Sequence, residues 1–184
     1  MPWPTGVEPI TWPSLNPVQR HIANEALQAI DERVSPLVFA GPVGTGKSCL
    51  AMLVARLFPR AITWSTPGVL GAICRARTSD SGQVEIPGPD GSSWWGESQF
   101  YARFESAPLA VLDDLGTREL TEAQSDVLLE LLNRRHGRGL IVTTNHNRNS
   151  LAESVGQRIA SRLLAGRQGW FDGADLRTRK AVPR

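Results

Sequence analysis

Apolar positions along this chain follow two spacings in turn. Continuous apolar runs at 37–40, 60–65, 109–116 and 139–145 have the length and side-chain type of strands buried on both faces. Between them the spacing is helical. The stretch 16–32 places Val18, Ile22, Ala26, Leu27 and Ile30 on one stripe, and further helices are predicted at 48–58, 68–77, 98–105, 121–136 and 154–164. In the helix at 121–136, Thr121 is placed as N-cap and Leu128, Leu131 and Leu132 face inward. Arg134 and Arg135 fall in its last turn, where cations complement the helix dipole. A closing strand is predicted within 168–173. Strands alternating with helices predict an α/β domain, with a five-stranded parallel sheet flanked by helices. The stretch 78–96 breaks the pattern: rich in Gly, Ser, Pro and Asp, it reads as a flexible surface insertion.

Size and composition add bounds. A chain of 184 residues with 41% hydrophobic content suits one domain with a full core, over 16–184, preceded by a segment at 1–15. The first residues lack a signal-peptide pattern and no apolar run is long enough to span a bilayer, so a cytoplasmic protein without a membrane partner is expected. Cys49 and Cys74 sit among apolar residues without metal-ligand spacing and read as small core residues. Net charge is only +2, yet its distribution is uneven. Residues 1–130 hold nine basic and fifteen acidic side chains, whereas 131–184 hold eleven basic and three acidic, a surplus of eight. A solvated face is the plain reading of that surplus; contacts to phosphates, of a neighbouring subunit's nucleotide or of nucleic acid, are the sharper one.

The candidate chemistry begins at 41–48, GPVGTGKS, a GxxxxGK motif closed by serine. Backbone N–H groups can close around phosphates only where the chain lacks Cβ atoms, which accounts for Gly41, Gly44 and Gly46. Pro42, Val43 and Thr45 complete the loop, and Cys49 follows it in the helix. Lys47 is one of only two lysines in the chain and is placed to reach the β- and γ-phosphates, while the Ser48 hydroxyl suits Mg²⁺. A chance glycine-rich turn is the plain alternative. The preceding strand and following helix argue against it, because together they put an anion at a helix N-terminus.

Three further motifs stand at strand ends or on a helix. LAVLDDLG, at 109–116, brings Asp113 out of the core as a Mg²⁺ ligand and Asp114 as a group to polarise an attacking water. In isolation the two acids could equally cap a turn. TTN, at 143–145, puts Asn145 where its amide can bond a γ-phosphate or the lytic water, although Asn at a strand end is commonly a turn former. GQRIASRL, at 156–163, stacks Arg158 and Arg162 four residues apart on one face, an arrangement that an anion would relieve. Trp94 and Trp95, in the 78–96 stretch, read first as core anchors of a long loop. Stacking on single-stranded nucleic acid or packing on a partner subunit are the other readings.

Taken in order, GPVGTGKS, LAVLDDLG, RRHGRGLIVTTN, RIASRL and WFDGADLR resemble the AAA+ ATPases of the DnaC-type helicase loaders and the related IstB transposition helpers. The resemblance runs from Asn16 to Arg177. It implies an AAA+ core of the ASCE class of P-loop NTPases, with ATP and Mg²⁺ as cofactors. By it, Lys47 and Ser48 belong to Walker A, Asp113 and Asp114 to Walker B, and Asn145 to sensor 1. Arg162 would be the arginine finger with Arg158 beside it, and Arg135 matches an arginine in the helix before the sensor strand. Forty residues precede Gly41 and thirty-nine follow Asn145, too few for a separate helicase-gripping domain or a full C-terminal lid. Either the segment 1–15, with Trp3, Trp12 and several prolines, acts as a short docking peptide, or another protein supplies the helicase contact.

The function expected is ATP hydrolysis in the service of helicase loading in DNA replication. The partners are a replicative helicase, single-stranded DNA and further copies of the chain assembled through Arg162. The rival readings are a nucleotide-gated adaptor with little turnover, a transposition helper ATPase and a small-molecule P-loop kinase.

Overall fold

The computed structural model describes residues 11–88 and 91–173. A short 3-10 turn at Trp12–Ser14 leads into α1 (Pro17–Asp31), whose start is fixed by reciprocal bonds: Asn16 Oδ1 accepts from the Gln19 amide at 2.8 Å, and Gln19 Oε1 accepts from the Asn16 amide at 3.2 Å. The chain continues through β1 (Leu37–Ala40), α2 (Lys47–Ala55), β2 (Ile62–Ser65) and α3 (Thr66–Thr78). After it come β3 (Gln83–Gly88), β4 (Gly91–Gly96), α4 (Glu97–Ser106), β5 (Leu109–Leu115) and α5 (Glu122–Arg134). The last elements are β6 (Gly139–Thr144), α6 (Arg148–Val155), α7 (Gln157–Leu164) and β7 (Arg167–Trp170).

Five strands form one parallel sheet in the order β2-β5-β6-β1-β7, as expected. Its inner strands β1, β5 and β6 are largely apolar without alternation because both faces are covered, whereas the edge strands β2 and β7 alternate in burial. Leu37, Phe39, Leu109, Val111 and Ile141 pack against α1 and α2, while Val38, Ala110, Leu112, Leu140 and Val142 pack against α3, α4, α5 and α7. On the second face Trp64 stacks on Phe100 and Phe104, with ring centroids 4.9 and 5.8 Å away. Helix α2 is apolar around almost its whole circumference and correspondingly buried. Among the described residues no helix is long and apolar enough to cross a membrane.

Several local expectations are corrected. The insertion at 78–96 carries regular structure: β3 and β4 pair as an antiparallel hairpin. The reason lies in QVEI, where Val84 and Ile86 are buried and alternate with Gln83 and Glu85; the surrounding Gly and Ser obscured this period of two. The core anchors are Val84 and Ile86, with Trp95 packed against the same core as expected and Trp94 not. Trp95 is half-buried beneath the Arg103 guanidinium, and Trp94 stays 57% exposed. In α1, Val18 is exposed and Gln19 takes an inward place instead, its amide donating to the Thr45 carbonyl at 3.3 Å. The helix expected at 154–164 is two helices, because Gly156 adopts φ 83° between them. Trp3, with the rest of 1–10, and residues 174–177 of the last motif lie outside the described residues.

Arg134, the last residue of α5, and Arg135, its C-cap, do more than complement the helix dipole. Arg134 pairs with Glu130 at 2.8 Å and with Glu105, and its guanidinium lies 4.0 Å from the Tyr101 ring centroid. Arg77 joins the same network through Glu97 at 2.6 Å and Glu130 at 2.7 Å. Burial raises the Glu130 pKa, but bonds from Arg77, Arg134 and Tyr101 outweigh it and hold the carboxyl below its ordinary value. Arg135 is fully buried, with no carboxylate partner among the described residues. It donates to the carbonyls of Phe104 at 2.9 Å, Ala107 at 2.7 Å, Glu105 at 3.3 Å and Gly139. The match to an arginine before the sensor strand thus falls on a bracket that ties the end of α4 to the entry of β6. Burial, with a smaller contribution from Arg138, lowers its pKa to about 10, so it stays charged at neutral pH.

Removing that bracket strands several carbonyls at once. Arg135→Met is expected to lower the unfolding free energy by about 3 kcal/mol, since each unsatisfied buried polar group costs on the order of 1–3 kcal/mol. Urea unfolding followed by circular dichroism measures it; a loss below about 1 kcal/mol would show that these carbonyls find other partners.

Candidate functional site

The C-terminal edge of a parallel sheet is where loops of different strands converge. Here Ala40 of β1 lies beside Thr144 of β6, Leu115 of β5 lies on the other side of Thr144, and Asp113 lies beside Ser65 of β2. The loop after β1, the two acids of β5 and the polar end of β6 therefore share one edge.

The loop at 41–46 is built by its glycines. Gly41, Gly44 and Gly46 take φ of 144°, 79° and 92°, values that a side-chain-bearing residue rarely adopts. A Cβ on Gly41 would also stand 2.3 Å from the carbonyl oxygen of Phe171, just beyond β7. Inside the loop, Thr45 Oγ1 donates to the Pro42 carbonyl at 2.8 Å. Lys47 is only 5% exposed, and its Nζ donates to the carbonyls of Gly41 at 2.8 Å and Pro42 at 2.6 Å. The ammonium is thereby held over the loop at the first turn of α2. Ser48 is half-buried beside it, and Pro42 and Val43 form the exposed rim. Cys49 is buried and Cys74 is half-buried. Burial raises the Cys74 pKa against the opposing charges of Arg77 and Arg75.

Asp113 and Asp114 stand in a β-bulge. Leu112 pairs with Val142 and Leu115 with Thr144, so two residues of β5 oppose only Thr143 of β6. Asp114 absorbs the extra length with φ 61°. Thr143 is fully buried; its hydroxyl donates to Asp113 Oδ1 at 2.6 Å and accepts from the Asp114 amide at 2.9 Å. Thr144 donates to the Leu115 carbonyl at 2.9 Å, and His146 Nε2 lies 2.8 Å from the Gly116 carbonyl oxygen. Gly116 is required there, for a Cβ would meet the His146 ring at 2.6 Å. As a result Asp113 is 5% exposed while Asp114 faces solvent.

Asn145 is exposed immediately after β6, and Arg158 and Arg162 are exposed on α7, whose opposite face buries Ile159, Ala160 and Leu163. The threonines, Gln19 and His146 escaped the sequence reading. A signal for the threonines was present, because two hydroxyls ending an otherwise apolar buried strand need partners on a neighbouring strand.

No family model and no curated protein sequence matches this chain. Solved structures do. AMPPCP-bound DnaA from Aquifex aeolicus superposes with a TM-score of 0.68 at 18% identity, over 86% of this chain and 48% of that one. The DnaC helicase loader gives 0.67 at 17% identity, over 86% of this chain and 92% of that one. DnaI gives 0.64 at 18% identity, over 86% and 87%. The chain shares their α/β fold, a five-stranded parallel sheet flanked by helices. It spans about half of the DnaA chain, 48%, and most of the two others. At such identities the likeness extends to the fold alone, which is the α/β P-loop architecture expected from the order of motifs.

The donors on the shared edge are hard oxygens, the Ser48 hydroxyl and the Asp113 carboxylate. Among the described residues no three His, Cys, Asp or Glu cluster as a metal cage. One hydroxyl and one carboxylate suit a Mg²⁺ that keeps waters and phosphate oxygens as its remaining ligands.

Proposed function

We propose that this chain binds ATP with Mg²⁺, hydrolyses it, and acts in DNA replication in the manner of a helicase loader. The observation that carries the reading is the convergence of the glycine-built loop, the buried Lys47 and the bulged acid pair on one sheet edge. The shared fold supports it, since one neighbour is a DnaA structure bound to AMPPCP and another a helicase loader.

In this reading the loop amides and the N-terminus of α2 receive the phosphates, and Lys47 exchanges loop carbonyls for phosphate oxygens. Ser48 and Asp113 hold Mg²⁺, which when bound neutralises charge on the β- and γ-phosphates. Asp114, facing solvent, orients and polarises the attacking water, and the Asn145 amide reads the γ-phosphate. Residues 16–184 work as one ATPase domain in the cytoplasm, and 1–15 is the docking segment for a replicative helicase. Arg162, with Arg158 beside it, serves the nucleotide of a neighbouring copy. Their exposure on α7 also favours a second reading, an adaptor that holds ATP and turns it over only when a neighbour supplies the arginine.

The basic surplus of the last third is smaller at the surface than in the sequence. Arg134 and Arg167 are engaged with carboxylates, Arg135 with carbonyls, and Arg138 with the Glu105 carbonyl. Arg134, Arg138, Arg148, Arg158 and Arg162 are exposed among the described residues, and the last three are the groups assigned to phosphate contacts.

Lys47→Ala is expected to abolish ATP binding in a fluorescent-nucleotide titration, whereas Asp114→Asn keeps binding and loses turnover. Equal loss of affinity in both variants would remove Asp114 from water activation.

For the arginine finger, Arg162→Ala should lose on the order of 10³–10⁵ in rate with binding intact, and mixing it with Lys47→Ala protein should restore part of the activity. No recovery at any mixing ratio, with both proteins folded and co-assembled, counts against a finger acting between subunits.

Single-stranded DNA, if it is a partner, should bind with an affinity that falls steeply between about 50 and 200 mM salt as counterions are released. A flat salt dependence, or no binding at low salt, would remove DNA from the partners.

A further inference from the structure

The bulge in β5 is an unusual device, since bulges are rare between parallel strands. It also stands on a costly conformation. A residue with a Cβ in the left-handed region costs roughly 1–2 kcal/mol, and Asp114 is held there at φ 61° with no glycine to relieve it. Something must hold the extra residue in place.

The opposing strand offers one group for the purpose. Thr143 Oγ1 has a single proton and two lone pairs. Its partners fix how these are used, because a backbone amide can only donate and an ionised carboxylate can only accept. The hydroxyl accepts from the Asp114 amide at 2.9 Å and donates to Asp113 Oδ1 at 2.6 Å. One oxygen thus sets the backbone of the second acid and the side chain of the first. Thr144, donating to the Leu115 carbonyl at 2.9 Å, holds the strand beyond the bulge.

We propose that Thr143 is the positioning residue of the acid pair: its hydroxyl keys the two-against-one bulge, turning Asp113 inward and Asp114 outward so that the two carboxylates divide the work. The division between metal holding and water activation rests on the ATPase reading above; the keying of the bulge does not. Valine at this position keeps the shape and removes the hydroxyl, leaving the Asp114 amide and the Asp113 carboxylate each short of a partner. Serine keeps the hydroxyl and removes only a methyl group.

Two measurements on the full chain test this. The first is hydrogen exchange at the Asp114 amide without nucleotide, which Thr143→Val should accelerate about tenfold and Thr143→Ser should leave near the parent rate. The second is steady-state ATP turnover, in which Thr143→Val should lower kcat by roughly 10² with KM within about threefold, and Thr143→Ser should restore most of kcat. Unchanged Asp114 exchange in Thr143→Val overturns the proposal. So does equal impairment of the Val and Ser variants, which would assign the effect to packing rather than to the hydroxyl. If Thr143→Val does not fold, Thr143→Ala removes the same hydroxyl without demanding space and is compared with Ser in its place. A parent chain without turnover defeats the ATPase reading, and the exchange rates alone then decide whether Thr143 keys the bulge.

Discussion

A parallel strand buried on both faces and hydrogen-bonded on both edges must satisfy every polar atom through its two neighbours. β6 is that strand, with all six residues buried between β1 and β5. Its first residues are apolar and ask for nothing beyond the ladder. Its entry is anchored by Arg135, which reaches the Gly139 carbonyl, and its exit by the hydroxyls of Thr143 and Thr144, which bond to β5. Much of the candidate site follows from that pinning. The glycine-built loop at 41–46 leaves β1 beside the exit of β6, the acids leave β5 on the other side, and Asn145 is the first residue released to solvent.

The sheet was legible in the sequence because buried parallel strands are uninterrupted apolar runs, and the helices because their stripes repeat at helical spacing. The loop at 41–48 was legible for a different reason: its glycines are demanded by backbone angles rather than by packing. What stayed hidden depends on partners remote in the chain. Arg135 looked like one of two cations closing a helix, and only the fold brings it to carbonyls about thirty residues away. Gly156 sits inside a helical pattern, where one residue at positive φ is enough to make two helices. The hairpin at 83–96 was concealed by composition, since two buried residues outweigh the Gly and Ser around them.

The roles of the arginines illustrate how little net charge says about a surface. Arg167 of the edge strand reaches Glu25 and Glu32 at 3.2 and 3.1 Å, binding the first helix to the last strand. Arg77 and Arg134 converge on Glu130, tying α3, α4 and α5 together on the side of the sheet away from the phosphate-loop helix. Such half-exposed pairs contribute little individually, and it is the shared carboxylate that gives the network its geometry.

The pairing count between β5 and β6 also bears on how this protein can change over generations. Between Leu112 and Leu115 the sheet accepts two residues against one, and both flanking pairs are buried. Deleting either acid would restore even pairing with Leu115 still opposite Thr144 and on the same face as Leu112, and would leave one carboxylate opposite Thr143 where there are now two. The second acid is thus a residue that the sheet does not need, and the length of this segment is set by the pair of carboxylates rather than by the packing around them.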